Sequence, residues 1–272
     1  MKNHFRKALL DRTPTFGAWM QIGHPAPAEI FGRLGYDWIC VDLEHGVFDL
    51  DSMAGVFRAI ECSGAVPVAR LPFADTIWIK RSLDAGARGL VVPMVSSADT
   101  AREAVRQAKY PPLGDRGFGY SRANLHGIDF ESYIRDANDE IAVVMQVEHR
   151  NGIDAIDAIL EVEGVDGAFI GPLDLSGSYG KAGQLDCPEM VDALERFRRS
   201  CRTHGKAAGM HLVHPAAGNS EAAIADGYTM IALGLDNVFL AAGARAALHQ
   251  ARTAALHQAR TAALSDLRPG RA

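Results

Sequence analysis

Eight short apolar runs alternate with helix-patterned segments along this chain, and that alternation limits its fold more than any other feature. The runs are Phe16–Met20, Trp38–Asp42, Val66–Arg70, Gly89–Pro93, Ile141–Glu148, Gly167–Gly171, Ala207–His211 and Met230–Gly234. The helix-patterned segments between them include 27–34, 50–63, 76–85, 97–108, 152–161, 189–204 and 220–225. Runs that are apolar throughout suit parallel strands covered by helices on both faces. Eight βα units in succession point to a (β/α)8 TIM barrel. An open doubly wound sheet is the alternative, but no G-x-G-x-x-G follows the first run. A chain of 272 residues, 48% of them hydrophobic, suits one large barrel, read as a single domain over 1–272.

Charge and cysteines narrow the function classes. The formal net charge is −5 with no long basic run, which argues against a nucleic-acid partner. Cys40, Cys62, Cys187 and Cys201 form no C-x-x-C pair, so neither a zinc site nor a disulfide framework is indicated, and reduced thiols in the cytoplasm are expected. No apolar stretch is long enough to span a bilayer, and MKNHFRKALLDRTP lacks the apolar core of a secretory signal.

Two segments break the pattern. The connection 110–140 is long for a barrel loop, and reads equally as a functional excursion or as packing for the barrel floor or a subunit contact. The tail repeats AALHQART at 246–253 and 254–261. Its composition favours a helix at about 246–264, read as a final barrel helix lengthened by duplication and fraying into SDLRPGRA.

Barrels of this kind place their chemistry at the C-terminal ends of the strands. Those ends here carry Asp42, Glu44 and His45; Arg70; Gln146 and Glu148; Gly171, Pro172 and Asp174; His211; and Asp236. Charged groups are rarely buried without partners, so this many at one rim implies a common ligand. Glu148 and Asp174 are oxygen donors on neighbouring strands; they suit a hard divalent ion, or each caps a helix or pairs with an arginine. Arg70 has the planar fork that suits a carboxylate or enolate, or it pairs with Asp42 or Glu44 at the rim. His45 has the pKa range of a general base, or is merely hydrogen-bonded, and His211 is a weaker candidate.

DLEHGVFD, the VAR-LP step, YPPLGDRGFG, QVEHR and EGVDGAFIGPLDLSGSYG together make the chain resemble the HpcH/HpaI aldolase family of the phosphoenolpyruvate/pyruvate-binding barrel superfamily, from about Thr15 to Ala241. The resemblance implies a metal-dependent class II aldolase acting on pyruvate, with Mg²⁺, Mn²⁺ or Co²⁺ as cofactor. It implies that Glu148 and Asp174 are the metal ligands, that Arg70 lies beside the keto oxygen, and that His45 is the base supported by Asp42 and Asp84. Gln146 falls in the substrate site, and Gly171, Pro172, Leu173 and Asp174 form the turn that receives the substrate carboxylate. It further implies a homo-oligomer, hexamer or trimer, that exchanges a C-terminal helix.

The expected reaction is cleavage or formation of a 4-hydroxy-2-oxo acid to pyruvate and an aldehyde. No lysine stands at the strand ends, so a Schiff-base route is disfavoured; Lys80 and Lys181 read as helix or loop surface. Oxaloacetate decarboxylation or acyl-CoA cleavage through the same enolate are the alternatives, and a non-catalytic scaffold is the remaining class.

Overall fold

The computed structural model describes residues 2–266, with side chains described through 256. A short helix, α1 (His4–Asp11), precedes β1 (Thr15–Met20), α2 (Pro25–Arg33), β2 (Trp38–Asp42), α3 (Leu50–Ser63), β3 (Val66–Arg70), α4 (Thr76–Ala85), β4 (Gly89–Val92) and α5 (Ala98–Ala108). A 3₁₀ turn (Arg122–Gly127) and α6 (Phe130–Glu140) lead to β5 (Ala142–Val147), α7 (Arg150–Asp154), α8 (Ile156–Leu160), β6 (Gly167–Ile170), α9 (Pro172–Ser178) and α10 (Pro188–Thr203). The chain ends with β7 (Ala207–Leu212), α11 (Asn219–Ala225), β8 (Met230–Leu235) and α12 (Asp236–Asp266). All eight strands are parallel and close on themselves as β1 pairs with both β2 and β8.

Local chemistry sets the helix ends. Asp49 and Ser52 form a capping box at α3, which stops at Gly64 with φ 97°. Asp75 caps α4 and Ser97 caps α5 through side-chain oxygens. The segment expected as one helix over 152–161 is two short helices that meet at Ala155.

Two apolar layers follow from strand alternation. Outward residues such as Ile39, Val41, Leu90, Val143 and Ile231 pack under the helices. Inward residues, among them Trp19, Trp38, Val68, Val144 and Phe169, fill the barrel. Gly17 makes room for Trp38, because a Cβ there would sit 2.1 Å from the indole. The floor is sealed by α1: Phe5 and Leu9 are buried in the inner cluster, and the Phe5 ring lies 5.5 Å from that of Trp38.

The connection 110–140 packs at the floor, the second of its two readings. Arg116, fully buried, lies over Tyr110 at 4.6 Å, donates to Tyr133 Oη at 3.1 Å and donates to Asp84 at 2.9 Å. Arg122 reaches the ends of two neighbouring helices, donating to Ala85 O at 3.0 Å and pairing with Glu61. Within the chain Asp84 stands away from His45. It occupies the last turn of α4, which runs back from the C-terminal rim, and there its carboxylate accepts from Arg116 at 2.9 Å.

The duplicated tail continues α12 without a break as far as Asp266. Phe239 lies 6.1 Å from the ring of Phe31, and from Leu240 to Leu256 every residue is exposed, so this stretch of the helix extends away from the barrel. Residues 267–272, which hold most of the SDLRPGRA end, lie outside the described residues.

Candidate active site

Asp42 and Arg70 stand opposite each other on β2 and β3 at the C-terminal rim. Arg70 donates Nε to Asp42 Oδ1 at 2.9 Å and Nη2 to Oδ2 at 2.6 Å, while Nη1 lies 3.0 Å from Glu44 Oε2. The guanidinium carries five N–H donors, so hydrogens remain on Nη1 and Nη2 for a ligand. Burial drives the Asp42 carboxyl up, but the Arg70 bonds and charge, helped by Gln21 and the His45 N–H, outweigh it and hold Asp42 below its ordinary value. Burial also raises Glu44, with Arg70 and His45 offsetting part of the rise.

Asp42 shapes the loop that carries His45 through the backbone. Its Oδ1 accepts the N–H groups of Glu44 and His45, both at 3.1 Å. The imidazole itself is turned to solvent, 62% exposed, with Nε2 4.0 Å from Glu44 Oε2. The expected carboxylate support of the ring therefore comes, in this chain, from Glu44 and not from Asp42.

Across the mouth, Gln146 points into the barrel and Glu148 follows at the end of β5; both are buried. Glu148 accepts the Gln146 amide at 2.5 Å on Oε2 and the Met94 N–H at 2.8 Å on Oε1. Burial raises its carboxyl; those two donors offset part of that, and the negative charges of Glu44 and Asp174 add to the rise. Gly171 allows this approach, since a Cβ there would meet Glu148 Oε2 at 2.5 Å. Beyond it, Pro172 starts α9, and Leu173 and Asp174 are exposed in its first turn, where helix N–H groups lack intrahelical acceptors.

Among the described residues no three His, Cys, Asp or Glu side chains cluster as a closed metal cage. The donor set still fits a hard divalent ion. Glu148 is a desolvated carboxylate facing further negative charge, which a cation would relieve, and two carboxylates leave positions for water and substrate oxygens.

Three neighbours were not singled out from sequence. Met94, with φ 56°, contributes only a backbone N–H, which leaves no side-chain signature. Gln21 donates to Asp42 at 2.8 Å, and Asp236 fixes Gln21 by accepting its N–H at 2.9 Å. Trp19 lies beneath Arg70, whose Cζ is 5.4 Å from the ring centre, and beside Phe169 at 5.3 Å. His211 stacks on Trp19 at 5.1 Å, and its Nε2 faces Gly234 O at 3.0 Å. Burial, with a smaller contribution from Arg70, pushes its pKa down to about 4, which makes it a weak base.

Comparison with known proteins agrees with this geometry. Residues 15–242 match the family model described as HpcH/HpaI aldolase/citrate lyase. A hydroxypyruvate/pyruvate aldolase of Roseovarius nubinhibens is 39% identical over 92% of this chain and 97% of its own length. A 2-keto-3-deoxy-L-rhamnonate aldolase of Klebsiella pneumoniae is 39% identical over 88% of this chain and 89% of its own. The crystal structure of an HpcH/HpaI aldolase/citrate lyase family protein from Burkholderia cenocepacia superposes with a TM-score of 0.87 at 34% identity, covering 92% of this chain and 100% of that one.

Proposed function

The chain belongs to the HpcH/HpaI aldolase/citrate lyase family, and from that premise we propose that it is a class II aldolase interconverting a 4-hydroxy-2-oxo acid with an aldehyde and pyruvate or hydroxypyruvate. It is a carbon–carbon lyase. The observation that carries the finer reading is the pairing of buried Glu148 at the end of β5 with exposed Asp174 at the start of α9, across the mouth from Arg70. A divalent ion on these two carboxylates, Mg²⁺, Mn²⁺ or Co²⁺, would supply Lewis-acid stabilisation of the charge that develops on the C2 oxygen.

The chain's own residues do the rest. Gln146 and the Met94 N–H hold Glu148 in one orientation. Arg70, fixed by Asp42 and Glu44, directs its remaining N–H groups at the C2 oxygen as negative charge builds there. The first-turn amides of α9, at Leu173 and Asp174, receive the substrate carboxylate beside Gly171 and Pro172. His45, at the solvent side, takes the C4 hydroxyl proton in cleavage and returns it in condensation.

The long exposed α12 supports a homo-oligomer in which this helix packs on a neighbouring subunit. Four free cysteines accord with a cytoplasmic protein, and no helix among the described residues is long and apolar enough to cross a membrane.

The test is pyruvate release from a panel of 4-hydroxy-2-oxo acids with added metal, with oxaloacetate and acyl-CoA substrates as controls. Glu148→Gln and Asp174→Asn are expected to abolish turnover and weaken Mn²⁺ binding, read by electron paramagnetic resonance, while leaving the folded barrel intact. Full activity of EDTA-treated protein would overturn the reading.

A further inference from the structure

His211 is a titratable side chain at the rim that the chemistry above does not use. Its ring stacks on Trp19 with an interplanar angle of 22°, and Arg70 occupies the same indole, so His211 lies within one aromatic ring of the group assigned to the C2 oxygen. Strand alternation explains its direction. Ala207 belongs to the inner cluster, and a Cβ on Gly209 would meet the inward Phe169, so His211 is the third inward position of β7.

The tautomer follows from its partner. Nε2 lies 3.0 Å from the carbonyl oxygen of Gly234, which can only accept, so Nε2 carries the hydrogen. Nδ1 then bears a lone pair. It has no partner among the described residues and is not among the buried unpaired atoms Ser82 Oγ, Arg116 Nε and Thr229 Oγ1, so it keeps some exposure at the inward, rim end of β7. The pKa pushed down to about 4 keeps the ring neutral and the acceptor available at ordinary pH.

The aromatic faces of Trp19 and Phe169 suit an apolar C3 methyl group. An uncharged acceptor beside them adds what a methyl group cannot use. We infer that His211 is a specificity-determining residue whose Nδ1 accepts a hydrogen bond from a hydroxyl on C3 of the 2-oxo acid donor, so that the enzyme favours a 3-hydroxylated donor over pyruvate. The inference rests on the aldolase reading and deepens it. Gly234 supports the role: its φ of 73° presents the carbonyl that fixes the ring, and a Cβ there would meet Phe239 at 2.1 Å.

The experiment measures kcat/KM for hydroxypyruvate and for pyruvate with one aldehyde, in wild type, His211→Phe and His211→Asn. Phe keeps an aromatic ring on Trp19 and removes the acceptor; Asn places an amide oxygen close to the position of Nδ1. Loss of one neutral hydrogen bond is expected to lower the hydroxypyruvate-to-pyruvate ratio roughly 3- to 10-fold in the Phe variant, with partial recovery in the Asn variant. Because the ratio is taken within each variant, general damage to the site cancels. Donor dissociation constants measured by calorimetry without aldehyde are expected to shift in the same sense. An unchanged ratio in an active Phe variant overturns the inference alone. So does a change that follows the hydroxyls of the aldehyde and not those of the donor. Wild-type protein inactive toward both donors overturns the aldolase reading and the inference with it.

Discussion

Arg70 grips Asp42 through two parallel hydrogen bonds between residues directly opposite each other on adjacent strands. The pair joins two roles. It fixes the guanidinium proposed to face the reacting oxygen, and through Asp42 it fixes the backbone of the loop carrying His45.

Arg70→Lys keeps the charge and loses the fork, so it is expected to lower kcat by about 10²–10³-fold, as loss of one oxyanion donor does. A change confined to KM would make Arg70 a group that binds ground state and transition state equally. Arg70→Ala leaves the fully buried Asp42 carboxylate without its cation, which costs roughly 3–5 kcal/mol by urea unfolding. Adding Asp42→Asn in the same chain is expected to recover part of that loss. Equal stability of the single and double variants would show that Asp42 does not need the arginine.

Gly171→Ala tests the close packing against Glu148. The backbone there, φ −106°, accepts any residue, so the effect comes from the new methyl group meeting the carboxylate. Overpacking of this kind costs about 1–3 kcal/mol. The expected signature is a larger loss in Mn²⁺ affinity than the shift in melting temperature would account for. Unaltered Mn²⁺ binding would mean that Glu148 is not a ligand or has room to move.

His45→Ala separates proton transfer from architecture. Aldol cleavage removes a C4 hydroxyl proton and oxaloacetate decarboxylation does not. The variant is therefore expected to lose aldol turnover by roughly 10²–10⁴-fold while keeping a larger share of decarboxylation. The measurement is the ratio of the two rates at saturating Mg²⁺ and one pH. An unchanged ratio would assign His45 to holding the site.

Burial of neutral His211 links stability to pH. With its pKa lowered from 6.5 to about 4 in the folded chain, the unfolded chain takes up the proton first as pH falls. The stability this burial contributes is full above about 6.5 and is lost progressively down to about 4. Melting temperatures are expected to fall more steeply over that window in wild type than in His211→Phe. Parallel curves would show that the ring is not held neutral.

Much of this molecule was legible in its residues because strand burial is written as uninterrupted apolar runs. All eight runs lie within a residue of the observed strands at each end. Glu148 and Arg70 were legible because a charge at the end of such a run is conspicuous. The Asp84–Arg116 pair was not legible, because a helical position says nothing about which end of the barrel a side chain serves, and Arg116 comes from a connection with no apolar period. Met94 was invisible because its contribution is a peptide N–H. The helices α1 and α6 were missed too: α1 is only eight residues long, and α6 lies inside a segment read as a single long connection.

The stopper that α1 forms at the floor and the side chains packed inside the barrel leave the site open at its C-terminal rim. Whatever lies deepest must enter first and leave last. In the proposed reaction the 2-oxo acid takes the deeper place beside buried Glu148, and the aldehyde the outer place near exposed His45. Cleavage is then expected to be sequential: aldehyde departs, then pyruvate. Pyruvate, released last, competes with the substrate for the empty site, whereas aldehyde meets a site still holding pyruvate and inhibits in a mixed pattern.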